Sequence, residues 1–495
     1  MVSAGCPVRS AAARDPDGLA LVAGELRWSW SALDADVGRR VGALRERVHR
    51  GERVAVLAEN HPATVQLLFA LRRLGAALVP LNVRLAPTEL REQAKRVAPR
   101  LILADGPRLD LLPGAERLDA PAAGSPVTDD ASSASADWAL LFTSGTSGTP
   151  KAARLSVGAF DALARASAAN LGPRHGDRWL CNLPLFHVGG LAMAVRCAHD
   201  GATLVLHPRF DADAVVSTVR DEGITHLSLV ARTLQQCLDA GLARGRLRGI
   251  LVGGGPVPPA LVERARAAGF PVLLTYGLTE ACSQVTTERP AAADGRTAGH
   301  PLPGLELRVL GPAGQPLAAG EEGTIAVRGA TLMQGYLGDG AATAEALREG
   351  WLLTGDIGRL DAAGRLTVLA RRTDLILSGG ENVYPAEVEA VLAAHPGVAE
   401  VAVVGRPDPA WGQVPVAVVV PRAAGAVEDL RHWARARLAA FKVPADVVPA
   451  RALPRTAAGK VDRAALQATL AAASGPCDFE KPGTTESTAV PVEFK

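Results

Sequence analysis

Residues 140–151 read LLFTSGTSGTPK, an apolar run that passes into small and hydroxylated residues and ends on a lysine. Such a segment suits phosphate. Its glycines let backbone N–H groups approach closely, its hydroxyls donate hydrogen bonds, and Lys151 adds charge. A P-loop NTPase needs Gly immediately before the lysine and Ser or Thr immediately after it. Here Pro150 precedes Lys151 and Ala152 follows it, so the loop is of another kind. A plain Gly/Ser/Thr turn is the bland alternative, and twelve residues in this arrangement weigh against it.

Other residues suited to chemistry lie further along. Residues 253–256 (GGGP) follow a short apolar run, where a strand-to-helix turn is the plain reading. Residues 182–196 (NLPLFHVGGLAMAVR) set His187 at the head of an apolar stretch and Arg196 nine residues on. One reading has Arg196 snorkelling to the surface. The other makes it a cation for a carboxylate, because a buried guanidinium left without a partner costs several kcal/mol.

The elements that must carry these residues alternate. Residues 53–58 (RVAVLA), 77–81 and 101–104 read as buried strands, with an amphipathic helix near 65–74. The rhythm resumes at 203–206, 225–230, 250–252 and 272–275, each pair separated by a helix-like stretch. Runs this apolar, lacking in–out alternation, fit parallel strands covered on both faces, hence doubly wound α/β layers. Residues 125–137 (SPVTDDASSASAD) form a polar loop before a strand at 138–143. After about residue 371 the pattern changes to strands at 398–404 and 416–420 with helices near 385–394 and 427–440, a separate α+β domain of about a hundred residues. The division expected is 1–370, 371–474 and a polar, disordered tail at 475–495.

Bulk properties bound the function. With 495 residues the chain has room for two or three domains, and 48% hydrophobic with 21% charged residues is ordinary for a soluble protein. Lys+Arg (53) and Asp+Glu (51) nearly cancel, which leaves no electrostatic footprint for nucleic acid or an anionic membrane. Six scattered cysteines without a C-x-x-C pair point to free thiols in a reducing compartment. The first residues lack a signal-peptide h-region, and Arg72 and Arg73 interrupt the most apolar early stretch, so a cytoplasmic protein without a membrane span is expected.

The string TSGTSGTPK resembles the phosphate-loop signature of the adenylate-forming superfamily, which holds acyl-CoA synthetases, adenylation domains and luciferases. Four further motifs follow in that family's order. They are YGLTE at 276–280, TGD at 354–356, RRTDLILSGGENVYP at 371–385 and PRTAAGKVDR at 454–463, and the resemblance spans roughly residues 15 to 470. It implies a large α/β N-terminal domain with a β-rich subdomain, followed by a small mobile α+β domain. It also implies a two-step reaction: a carboxylate attacks the α-phosphate of ATP, and a thiol then displaces AMP.

The resemblance implies these roles. Thr143, Ser144, Gly145 and Thr146 grip the β/γ-phosphates, supported by Lys151. Gly253, Gly254 and Gly255 lie against adenine, with Tyr276 stacking on it and Gly277 beside it. Thr279 contacts the α-phosphate, Glu280 holds Mg²⁺, and Asp356 and Arg371 take the ribose. Lys460 bridges carboxylate and α-phosphate in adenylation; domain rotation then exchanges it for the loop at Ser378, Gly379 and Gly380, which with Trp411 lines the coenzyme A tunnel. The pivot falls at Thr373, where many members carry Asp or Lys, and Ala370 replaces a usual Gly.

His187 is expected to gate the acid pocket, where an adenylation domain for amino acids usually places an Asp, and no carrier domain is expected. With Arg196 and YGLTEACSQVTT, the segment is most similar to the o-succinylbenzoate–CoA ligase family of menaquinone biosynthesis, whose dicarboxylate substrate needs a second cation. Ser283, Gln284 and Thr287 are expected on the pocket floor. The alternative is a ligase for another aryl or short-chain acid. A homodimer is the assembly common in such enzymes.

Overall fold

The computed structural model describes residues 5–120, 125–128, 130–143, 150–371, 374–378, 381–408, 411–423, 425–438, 440–456 and 459–473. Four sheets organise the described residues. The first has six strands in the spatial order Glu116–Arg117, Leu101–Ala104, Arg53–Leu57, Ala77–Pro80, Asp137–Thr143 and Lys151–Ser156. All its pairings are parallel except the last, where Asp137–Thr143 and Lys151–Ser156 run antiparallel with Thr143 opposite Lys151. That register brings both ends of the phosphate-loop string together; residues 144–149 between them lie outside the described residues.

Local sequence explains the main helix of this layer. Pro62–Leu74 starts on a proline, which needs no N–H partner in the first turn, and stops at Gly75 in the left-handed region (φ 68°). Residues 62–73 are all buried, including Arg72, whose guanidinium grips both oxygens of Asp161 at 2.7 and 3.0 Å. Phe69, Trp138 and Phe160 pack against one another with ring centroids 5.8 and 5.2 Å apart. The arginines that interrupt the apolar run are thus paired core residues. No helix among the described residues is long and apolar enough to cross a membrane.

The second sheet has nine strands, ordered His300–Pro301, Ser283–Thr287, Val272–Leu278, Gly249–Val252, His226–Leu229, Arg178–Cys181, Thr203–Leu206, Leu19–Ala23 and Leu26–Ser29. Its six middle strands, Val272–Leu278 to Leu19–Ala23, are parallel and its edges antiparallel. The strand expected at 272–275 continues to Leu278, because the antiparallel neighbour Ser283–Thr287 extends the ladder through Gly277 and Leu278. An antiparallel sheet between residues 305 and 371 follows. The last sheet, from Ile376–Ser378 to Asp446–Pro449, carries the helices Pro385–Ala393, Leu430–Arg435 and Arg463–Ala473. The helix expected at 427–440 is therefore shorter, Leu430–Arg435. Five cysteines are buried and free; Cys477 and the 475–495 tail lie outside the described residues.

Candidate active site

The carboxyl ends of Gly249–Val252 and Val272–Leu278 stand side by side, the place where open α/β sheets bind ligands. A Cβ on Gly253 would stand 2.5 Å from the Thr275 carbonyl oxygen, so the backbones touch where only glycine fits. Gly254 adopts φ 79°, while Gly255 faces open space. At Gly277 a Cβ would meet the Ser283 carbonyl oxygen at 1.8 Å, which presses the YGLTE segment against the returning strand.

Tyr276 and Asp356, far apart in sequence, meet here. The Tyr276 hydroxyl donates to Asp356 Oδ2 at 2.6 Å, and Asp356 is 5% exposed. Asp356 pairs in register with Arg371, whose side chain lies outside the described residues. Thr279 and Glu280 occupy a 3-10 turn, Thr279–Ala281, directly after the strand. Glu280 Oε1 accepts from the Tyr336 hydroxyl at 3.0 Å, and the Tyr336 ring also faces Lys151 Nζ at 5.4 Å. Tyr336 therefore ties the end of the phosphate loop to the carboxylate expected to hold magnesium. Among the described residues no three His, Cys, Asp or Glu side chains form a metal cage. A lone carboxylate fits a magnesium ion that takes its other ligands from phosphate and water.

The residues expected to meet the acid gather on and around the helix Val188–Asp200. His187 caps the helix Val188–Asp200, with its ring 4.8 Å from Phe186 and its Nε2 buried without a partner. Burial, then the charges of Lys460 and Arg84, push the imidazole down to about 4, so it is neutral at physiological pH. Lys460 sits in a turn where Thr456 N donates to the Lys460 carbonyl oxygen at 2.8 Å. The Arg84 guanidinium is 3.5 Å from where a Gly459 Cβ would be and 6.0 Å from the Phe186 ring. Lys460, His187 and Arg84 thus converge from three distant stretches of chain. Nothing in the local sequence marks Arg84 or Tyr336; both were missed.

Arg196 is buried, 4% exposed, so it does not snorkel to the surface. Its Nη1 donates to Gln284 Oε1 at 2.9 Å and Ser167 Oγ at 3.3 Å, and its guanidinium lies 4.6 Å from the Trp179 ring centre. Nε is buried without a partner, and Arg196 makes no salt bridge with any described residue. Burial depresses its pKa. Ser283, opposite Leu278, is held at φ 99° directly after Cys282 at φ 57°, a sparsely populated backbone of the kind found at ligand sites. Ser378 ends a strand opposite Gly412, next to Trp411, which is 55% exposed. Gly379 and Gly380, expected beside them, lie outside the described residues, as do Ser144, Gly145, Thr146 and Thr373.

Close-packed glycines at the strand ends, the Tyr276–Asp356 pair and Glu280 beside them, with Lys460 near His187, are an arrangement that suits an adenylate-forming ligase. The chain belongs to the family of AMP-binding enzymes, whose model matches residues 8–337, with the AMP-binding enzyme C-terminal domain matching residues 387–460. Within that family it is 38% identical over 463 residues to a 2-succinylbenzoate–CoA ligase of Bacillus licheniformis, covering 90% of this chain and 96% of the relative. It is also similar to o-succinylbenzoate coenzyme A synthetase of Bacillus subtilis solved with its acyl-adenylate intermediate (34% identity, 94% and 99% coverage, TM-score 0.89). The same Bacillus subtilis synthetase solved with ATP and magnesium matches at 34% identity, 93% and 99% coverage and TM-score 0.86.

Proposed function

We propose that this chain is an ATP-dependent acid–CoA ligase that converts o-succinylbenzoate, ATP and coenzyme A to o-succinylbenzoyl-CoA, AMP and diphosphate. In the first step a carboxylate oxygen of the acid attacks the α-phosphorus, and the bond to pyrophosphate breaks. Negative charge grows on the α-phosphate oxygens, where Lys460 and the Thr279 hydroxyl would stabilise it. Tyr276, Asp356 and Gly253 hold the nucleoside, and Thr143 with Lys151 frames the loop for the departing phosphates. When bound, magnesium neutralises phosphate charge, and Glu280 is the carboxylate that would hold it. Neutral His187 closes the acid pocket without competing for the substrate carboxylate as an anion or cation.

In the second step the coenzyme A sulfur attacks the acyl carbon and the bond to AMP breaks. Rotation of the domain beyond residue 370 exchanges Lys460 for Ser378 and Trp411 at the site. The exposed Trp411 and the nearness of Lys460 to His187 suit the adenylation arrangement. On this reading the enzyme works in the cytoplasm on small-molecule substrates, and a homodimer is the assembly to test.

The observation that carries the choice of acid is Arg196: a buried guanidinium on the helix that His187 caps, held by neutral groups and without a counter-ion among the described residues. A monocarboxylic substrate would leave that charge unanswered. Arg196→Ala is expected to raise KM for o-succinylbenzoate by at least about tenfold, the size of one lost charge-assisted contact. It should not impair, and is expected to improve, use of analogues lacking the second carboxylate, because the unanswered charge is gone. An unaltered KM for the dicarboxylate would overturn the assignment.

A further inference from the structure

The groups that hold Arg196 form a chain of hydrogen bonds centred on Gln284. Gln284 Oε1 accepts twice, from Arg196 Nη1 at 2.9 Å and from Ser167 Oγ at 2.9 Å. Its amide nitrogen donates to Thr287 Oγ1 at 2.9 Å, and Thr287 Oγ1 lies 2.9 Å from Thr275 Oγ1. With donors on one side and an acceptor on the other, the amide has a single orientation that satisfies all its partners. Gln284 is 5% exposed, Ser167 2% and Thr287 0%, so the chain is dry and its geometry tightly held. It ends at Thr275, whose carbonyl oxygen abuts Gly253 in the nucleotide cradle.

What matters is the charge at position 284. A carboxylate there would pair with Arg196 and cancel it; an amide supplies the same acceptor oxygen and leaves the cation whole. The carboxylate that acts on Arg196 through space is Asp200, one turn along the same helix, which makes no salt bridge with it. We propose that Gln284 is a positioning residue that holds Arg196 as an uncancelled cation and thereby sets the preference for a dicarboxylic acid. This rests on the reading of Arg196 given under the proposed function. Gln284 fixes where the guanidinium stands, Ser167 and Trp179 restrict its swing, and the substrate's second carboxylate supplies the missing counter-charge.

The test compares Gln284→Glu, Gln284→Met and Arg196→Ala with two acids: o-succinylbenzoate and 4-oxo-4-phenylbutanoate, the same skeleton without the ring carboxylate. The readouts are KM and kcat for each acid and KM for ATP, with a thermal melt as the folding check. Gln284→Glu is expected to raise KM for o-succinylbenzoate at least about tenfold while improving use of the monocarboxylate, because the new ion pair removes both the attraction and the unpaired charge. Gln284→Met leaves the charge but removes its acceptor, so it raises KM for the dicarboxylate and does not improve the monocarboxylate. In both variants the change falls on KM for the acid rather than on kcat or KM for ATP. If Arg196→Ala alters the ratio between the two acids and neither Gln284 variant does, the inference about Gln284 is wrong and the reading of Arg196 stands. If Arg196→Ala leaves that ratio unchanged, both fall. Should Gln284→Glu not fold, Gln284→Met decides: an unchanged KM for the dicarboxylate overturns the inference.

Discussion

Gly253→Ala adds one methyl group where the structure has no room for it. The new Cβ would stand 2.5 Å from the Thr275 carbonyl oxygen and 2.8 Å from Thr275 Cγ2. An unstrained contact needs about 3.5 Å, so the glycine loop must retreat from the strand by about 1 Å. Backbone oxygen cannot rotate aside as a side chain does, so the movement falls on the loop. Two consequences separate. Overpacking of this kind costs about 1–3 kcal/mol of stability, seen as a lower melting temperature. If the loop also lies against the adenine, a displacement of about 1 Å in a positioning element costs on the order of 10²-fold in rate. Initial rates of pyrophosphate release, with ATP and acid varied in turn, distinguish them. The expected result is a KM for ATP raised tens of fold or more, with KM for the acid little changed. A lower melting temperature with an unaltered KM for ATP would reduce 253–255 to a structural turn and refute the nucleotide assignment.

Two further perturbations probe the other end of the site. Lys460→Ala is expected to lower adenylate formation by on the order of 10²–10³-fold while a preformed acyl-adenylate still reacts with coenzyme A; equal loss in both half-reactions, followed by single-turnover quench, would contradict the exchange of Lys460 for the Ser378 segment. His187 sits at about 4, below the 6.5 of a free imidazole, so between those values the unfolded chain binds more protons. The contribution of His187 to stability is then complete above pH 6.5 and is lost as pH falls toward 4. His226, also pushed down to about 4 by burial, acts with the same sign. His187→Phe should weaken the acid dependence of urea unfolding across that window, and an identical pH profile would refute the shift. Because Lys460 and Arg84 contribute to the depression, Lys460→Ala should raise the imidazole pKa seen by NMR.

The parallel layers were legible because their strands are short apolar runs: 101–104 and 203–206 match the strands Leu101–Ala104 and Thr203–Leu206 residue for residue. Ser283–Thr287 was not read as a strand, since SQVTT is mostly polar. Within it Gln284 donates to Thr287, which meets Thr275 on the neighbouring strand, a fact of tertiary pairing that no local pattern carries. The motifs expected on the nucleotide side were legible one by one, but the contact between Tyr276 and Asp356, 80 residues apart, was not. Arg196 was ambiguous in sequence because an apolar helix with one arginine suits either surface or interior. Only Trp179, Ser167 and Gln284, drawn from three other elements, decide it. Arg84 could not have been found, because its closeness to Lys460 depends on how the two domains meet.

The central claim is that this chain couples ATP cleavage to the thioesterification of one dicarboxylic acid. A panel of acids scored by AMP release with and without coenzyme A tests it most directly. The account predicts rapid, coenzyme A-dependent AMP release with o-succinylbenzoate, and a kcat/KM at least about tenfold lower for 4-oxo-4-phenylbutanoate, benzoate and short fatty acids. A monocarboxylic acid used as well as o-succinylbenzoate, or AMP release indifferent to coenzyme A, would contradict it.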